Sequence, residues 1–184
     1  MKSVMRNWKF LLKLLKWVNP KYGAEIGVFE GDSSVELLKE FEDLVLYCVD
    51  PWENDTIFHK LMPKKQGRIL TADMEQTYNF FLHRIKPFCN RAITVRLDSI
   101  EAAKTIKDGI LDFVFIDGNH AYQYVKEDIC AWTPKVRIGG IICGDDYRQK
   151  QNYGVIEAVN EIFPNQFHVN QRSNVWYLVK EVEL

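Results

Sequence analysis

Two hydrophobic periods alternate along this chain. Short apolar runs suited to buried strands open at Ala24 and then fall at 44–49, 93–97, 111–116 and 138–144. Between them the apolar positions move to helical spacing, over 35–39, 74–85, 100–106, 122–132 and 154–162. The 74–85 segment sets Tyr78, Phe81, Leu82 and Ile85 on one face, and Pro134 and Pro164 end the two helices before them. The tail alternates weakly through 167–169 and strongly through 175–179, which predicts a terminal antiparallel hairpin. Strands that alternate with helices predict an α/β domain, a mostly parallel sheet with helices on both faces.

The first chemical signal is the stretch 24–34. A buried strand leads into Gly27 and Gly31, four residues apart, and then into a helix. Glycine lets the backbone approach a ligand closely, and the free N–H groups of a first helical turn attract negative groups. Asp32, Ser33 and Ser34 are candidate N-caps for that helix. The spacing departs from the three-glycine dinucleotide fingerprint, because Glu25 stands where its first glycine belongs. A carboxylate there suits a ligand with an ammonium group and argues against a nicotinamide oxidoreductase.

Acids recur at the other strand ends. The second run ends at Asp50-Pro51-Trp52, about twenty residues past the glycine turn, where a carboxylate can accept from two ribose hydroxyls. Trp52 offers a flat apolar face for a base, while Asp50-Pro51 also reads as a simple turn. The third run ends at Asp98-Ser99, and either residue can cap the next helix. The fourth ends at Asp117-Gly118-Asn119-His120. The fifth, led in by what reads as a tight turn at Gly139-Gly140, ends at Asp145-Asp146. In open parallel sheets ligands collect at the carboxyl ends of the strands, so these acids mark one functional edge.

At 184 residues, 47% hydrophobic and 27% charged, the chain suits a single domain over 1–184. A net charge of -1 argues against a dedicated nucleic-acid binder. The four cysteines form no C-x-x-C pair, and Cys48 and Cys143 fall in apolar runs, so free thiols in a reducing, cytoplasmic compartment are expected. Residues 1–20 read as an amphipathic helix, with Trp8, Leu11, Leu12, Leu15 and Val18 opposite Lys9, Lys13 and Lys16. Such a stripe packs at the sheet edge or over a pocket, and its basic face can also meet an anionic membrane. Residues 53–90 exceed a simple crossover and read as a lid or substrate wall, with loops at 54–55 and 63–67. Its aromatics Phe58, Tyr78, Phe80 and Phe81 read as packing, and His59, His83 and His168 as surface or structural residues.

Over nearly the whole chain the sequence resembles the class I S-adenosylmethionine-dependent methyltransferases. The residues that carry the likeness are E-x-G-x-x-x-G at 25–31, Asp50, F-I-D-G-N-H at 115–120 and G-G-I-I-C-G-D-D-Y at 139–147. The last two segments resemble the metal-dependent O-methyltransferases, most closely the macrocin type that methylates sugar hydroxyls, and more distantly catechol O-methyltransferase. The resemblance implies a Rossmann-like sheet of seven strands with the last antiparallel. It implies a cofactor, S-adenosylmethionine, held by Glu25, Gly27, Gly31, Ser33 and Asp50, with Pro51, Trp52, Asp98, Ser99 and Asp117. It also implies Asp117, Asp145 and Asp146 as ligands of a divalent cation, and a hard oxygen set of this kind suits Mg²⁺. A cation there would bind the acceptor hydroxyl, lower its pKa and align it, with His120 as general base beside Asp117. Asp146 and His120 depart from the catechol enzymes, which use asparagine and a lysine base. The partner is then a small-molecule acceptor, a sugar among the candidates, with oligomeric state open. Asp145-Asp146 also reads as a turn or cap, and His120 as a helix cap. Two further readings stay open: a metal-independent methyltransferase on another acceptor, or a non-catalytic cofactor-binding scaffold.

Overall fold

The computed structural model describes residues 7–53, 73–149 and 153–182. Its strands are β1 (Tyr22–Ile26), β2 (Val45–Val49), β3 (Ala92–Val95), β4 (Leu111–Ile116), β5 (Val136–Gly144), β6 (His168–Asn170) and β7 (Val175–Val179). They form one seven-stranded sheet in the order β3-β2-β1-β4-β5-β7-β6. The first five are parallel, and β7 runs antiparallel between β5 and β6. The helices are α1 (Asn7–Leu15), α2 (Asp32–Glu40), α3 (Met74–Ile85), α4 (Ser99–Thr105), α5 (Tyr122–Trp132) and α6 (Val155–Ile162). The expected α/β architecture, with its antiparallel hairpin at the C-terminal end, is present.

Strand alternation divides the core in two. On β4, Val114 and Ile116 face the layer of α4, α5 and α6, where Ala102, Ile129, Trp132 and Val159 meet them. Phe113 and Phe115 face the opposite layer, with Leu11, Leu15, Leu37, Leu38 and Phe81 of α1, α2 and α3. Both rings are fully buried, and truncating either to alanine would cost about 3–5 kcal/mol. Burial on both faces explains why the central strands read as continuous apolar runs.

The expected helix over 1–20 is shorter, since α1 ends at Leu15, Val18 lies in the turn after it and residues 1–6 are outside the described residues. Leu11 and Leu15 are buried, Lys9, Lys13 and Lys16 are exposed, and the helix packs on α2 and β7. Among the described residues no helix is long and apolar enough to cross a membrane. Two local expectations are corrected. Gly139 and Gly140 do not precede β5 but lie inside it, where the β4–β5 register shifts between Leu111 and Phe113. The N-cap of α2 is Gly31, in left-handed conformation and without a side-chain cap, since the hydroxyls of Ser33 and Ser34 turn inward to Glu25. Of the proposed 53–90 insertion, 73–90 is mostly α3, and the loops at 54–55 and 63–67, Phe58 and His59 lie outside the described residues.

Candidate active site

The chain passes from β1 outward through β2 and β3, then returns to lay β4 on the other side of β1. That reversal opens a crevice at the strand ends. Gly27 makes the crevice possible. Its φ is +87°, and a Cβ there would overlap the Asp117 carbonyl and the Gly118 Cα, so only glycine lets the ends of β1 and β4 close up. Six non-glycine residues of the described chain have positive φ, and three are not asparagine: Phe29 (52°), Trp52 (46°) and Asp146 (56°). All three follow strand ends at this edge, where uncommon backbone states concentrate around ligands.

The crevice is an open cavity of about 260 Å³. Of the predicted cofactor residues, Gly27, Asp50, Pro51, Asp98, Ser99 and Asp117 line it. Asp50 is held by the backbone of two turns, accepting from Phe29 N–H at 2.9 Å and Trp52 N–H at 2.7 Å. The turn reading and the ligand reading of Asp50 therefore coexist. Burial raises its pKa, against which those backbone bonds act. Asp98 caps α4 by accepting from Ile100 N–H at 2.9 Å.

Glu25, Gly31, Ser33 and Trp52 are placed elsewhere. Glu25 is fully buried under the start of α2, and its two carboxyl oxygens accept from the Ser33 and Ser34 hydroxyls. Burial lifts its pKa to about 7 against the pull of those hydroxyls. Gly31 packs on the Phe81 ring. Trp52 is 1% exposed, its indole stacks on Phe81 with centroids 4.8 Å apart, and its Nε1–H donates to Phe29 O. The structure thus puts Trp52 in the core rather than on the cavity wall.

A second group gathers where β4 and β5 end. His120 Nε2 lies 2.9 Å from Asp146 Oδ2 and 3.8 Å from Asp117 Oδ1, and the ring meets the Tyr153 edge at 4.6 Å. Arg148 pairs with the other oxygen of Asp146. From α1, Asn7 Nδ2 donates to Asp117 Oδ2 at 3.1 Å and to Asp145 Oδ2 at 2.9 Å, while its Oδ1 accepts from Trp8 N–H. Burial first, then repulsion from Asp145, Asp146 and Glu25, lifts Asp117 well above the carboxylate range, against the Asn7 bond. Burial, then repulsion from Asp146, brings Asp145 to about 6, against the bonds its carboxyl accepts from the Asp146 backbone N–H and from Asn7. Asp145 Oδ1 is buried with no hydrogen-bond partner among the described residues.

The three aspartates predicted as metal ligands therefore share one neighbourhood without forming a finished cage. Among the described residues no group of three His, Cys, Asp or Glu side chains is arranged to hold a metal ion. The reason is visible in their partners: the Asn7 amide bridges Asp117 to Asp145, and Asp146 turns to His120 and Arg148. The donor chemistry nevertheless fits a hard divalent cation, because Asp146 is buried, Asp117 and Asp145 are half-buried, the acids repel one another and one oxygen of Asp145 has no partner among the described residues.

Two residues of this site escaped the sequence. Asn7 precedes the α1 stripe, and no local pattern connects it to acids more than a hundred positions away. Asp128 lines the cavity and is 6% exposed. A signal for it existed, since it interrupts the apolar stripe of Val125, Ile129 and Trp132 on α5.

A seven-stranded sheet in the order β3-β2-β1-β4-β5-β7-β6, with β7 antiparallel and a glycine turn at the reversal, is the class I S-adenosylmethionine-dependent methyltransferase fold. The chain belongs to the methyltransferase-domain family, whose sequence profile matches residues 24–147. It is similar to an uncharacterized protein of Sinorhizobium fredii, 24% identical over 164 residues, covering 82% of this chain and 16% of that protein. The chain thus spans about one sixth of that relative's length. Among solved structures it resembles the O-methyltransferase from Bacillus cereus in complex with SAH (17% identity, TM-score 0.63, covering 94% of this chain and 80% of that one). It also resembles the O-methyltransferase TomG from Streptomyces achromogenes, involved in tomaymycin synthesis and solved with SAM (13%, TM-score 0.66, 98% and 83%). A candidate caffeoyl-CoA O-methyltransferase from Staphylococcus aureus is similar to the same degree (15%, TM-score 0.66, 94% and 82%). At these identities the likeness to solved structures establishes the fold.

Proposed function

We propose that this domain transfers a methyl group from S-adenosylmethionine to a hydroxyl of a small molecule, a sugar being the first class to screen. The observation that carries the reading is the pairing of a cavity at the sheet reversal with the His120–Asp146 contact at 2.9 Å beside it. Gly27, Asp50, Pro51, Asp98, Ser99 and Asp117 would hold the cofactor, whose sulfonium supplies an activated methyl when bound. Glu25 and Ser33 support that wall from behind, shaping the glycine turn rather than touching the ligand.

His120 acts as general base in this reading. With Nε2–H donated to Asp146, the lone pair that accepts the hydroxyl proton is on Nδ1, and Asp146 stabilises the charge the ring gains. Asp146 is itself held by Arg148, which keeps the imidazole from swinging. Asn7 of α1 holds Asp117 and Asp145 together on the acceptor side. Methyl transfer from a sulfonium needs no covalent enzyme intermediate, so alignment and electrostatics carry the catalysis.

The finer proposal is that Asp117, Asp145 and Asp146 hold Mg²⁺, which would polarise the acceptor oxygen. The partnerless Asp145 Oδ1 supports it. A metal-independent variant has its own support, since the Asn7 amide already neutralises part of the Asp117–Asp145 repulsion. Calorimetric titration of S-adenosylhomocysteine, followed by Mg²⁺ with and without chelator, tests both. Binding of both ligands, with sugar methylation that chelator abolishes, is the expected result. Turnover that survives chelator would select the metal-independent variant. No cofactor binding by folded protein would overturn the methyltransferase reading.

A further inference from the structure

We infer that the Asp128 carboxyl reads the purine edge of the bound nucleoside, so that base recognition here depends on α5 as well as on the strand ends. This deepens the proposed function and rests on its cofactor assignment.

A carboxyl on the buried face of a helix is costly unless it has partners. Asp128 has one in Ser99, whose hydroxyl bonds it. That hydroxyl is oriented from behind, because Ser99 Oγ accepts from Trp132 Nε1 at 2.9 Å and so points its own proton at Asp128. The carboxyl is still part of the cavity wall. Its Oδ2 lies beside Gly118, where a Cβ would come within 3.7 Å, so no side chain at 118 screens it from the crevice. Ile26, Val49 and Ile100 supply apolar surface in the same cavity, against which a base can pack.

The electrostatic surroundings favour the neutral acid. Burial raises the Asp128 pKa to about 7, with Ser99 opposing and the charges of Asp98 and Glu127 adding to the rise. Asp50, Glu53 and Asp117, with the Tyr124 phenol, are the other titratable groups of the cavity wall. No Lys, Arg or His lines the cavity among the described residues. A neutral carboxyl can donate its O–H to a ring nitrogen of adenine and accept from the 6-amino group. The ionised form can only accept, and it faces the ring nitrogen's lone pair.

The test is calorimetric titration of the full chain with S-adenosylhomocysteine and with its analogue lacking the 6-amino group, from pH 6 to 8.5. The wild-type protein should prefer the amino compound by about tenfold or more. Asp128→Ala should erase that preference, while Asp128→Asn, which keeps a donor and an acceptor, should retain it. The wild-type preference should fade as pH rises past about 7, and that of Asp128→Asn should not. An equal preference in Asp128→Ala, or the same pH profile in wild type and Asp128→Asn, would overturn the inference and leave cofactor binding standing. Failure of folded wild-type protein to bind either compound would overturn the cofactor assignment too.

Discussion

Glu25 and Asp117 lie at the ends of paired strands, and burial pushes both carboxyls above their ordinary range. Their surroundings differ. Glu25 is enclosed by two hydroxyls of α2 and does not line the cavity, and the charges of Asp50 and Asp32 add only after burial and those hydroxyls. Asp117 opens on the cavity and meets Asn7, His120 and the repulsion of three further acids, Asp145, Asp146 and, last, Glu25 itself. Both oxygens of Glu25 have partners, so it serves as a joint between β1 and α2. The β4–β5 acids are crowded and one oxygen is left over, so their charge can respond to a ligand. Partner count, rather than burial or pKa, separates the enclosed acid from the group left open to a ligand.

The sharpest way to break that contrast is at the reactive end. His120→Ala should lower kcat by about 10²–10⁴ while the affinity for S-adenosylhomocysteine stays within about threefold, measured by single-turnover assay and calorimetry. Unchanged kcat would remove His120 from the chemistry and leave the acids as a structural cluster.

At the structural end the effect should appear in stability. Glu25 rises from 4.5 to about 7 on folding, so the folded state binds the proton more tightly than the unfolded chain. Its contribution is therefore best below pH 4.5 and is lost as pH climbs toward 7. Glu25→Gln should remove that loss, raising stability at pH 8 by up to about 3 kcal/mol with little change at pH 4.5. Urea unfolding at the two pH values checks it, and a variant equally destabilised at both would show that the hydroxyl–carboxylate geometry outweighs the proton linkage.

The smallest effect belongs to the bridge between α1 and the acids. Asn7→Ala removes two amide–carboxylate bonds at a half-buried helix start and should cost about 1 kcal/mol in the same unfolding assay. Because Asn7 lowers the pKa of both Asp117 and Asp145, its loss should also raise them, visible by NMR titration of the carboxyls. No movement of either would mean that the bridge carries no electrostatic weight.

Much of this arrangement was written in local pattern. Apolar runs and helical spacing predicted the strands, the helices and the closing hairpin, because burial on two faces and on one face leaves different periods in the chain. The glycine turn and the acids at the strand ends were legible for the same reason: only a few residue types suit a reversal point. What the sequence could not decide was which of those acids face the cavity. Glu25 and Asp117 look alike in one dimension, and Trp52 looks like a base platform. The hydroxyls of Ser33 and Ser34, the Phe81 ring and the Asn7 amide reach them from other elements. Side-chain direction and the number of partners depend on how layers pack, and that is a property of the tertiary structure alone.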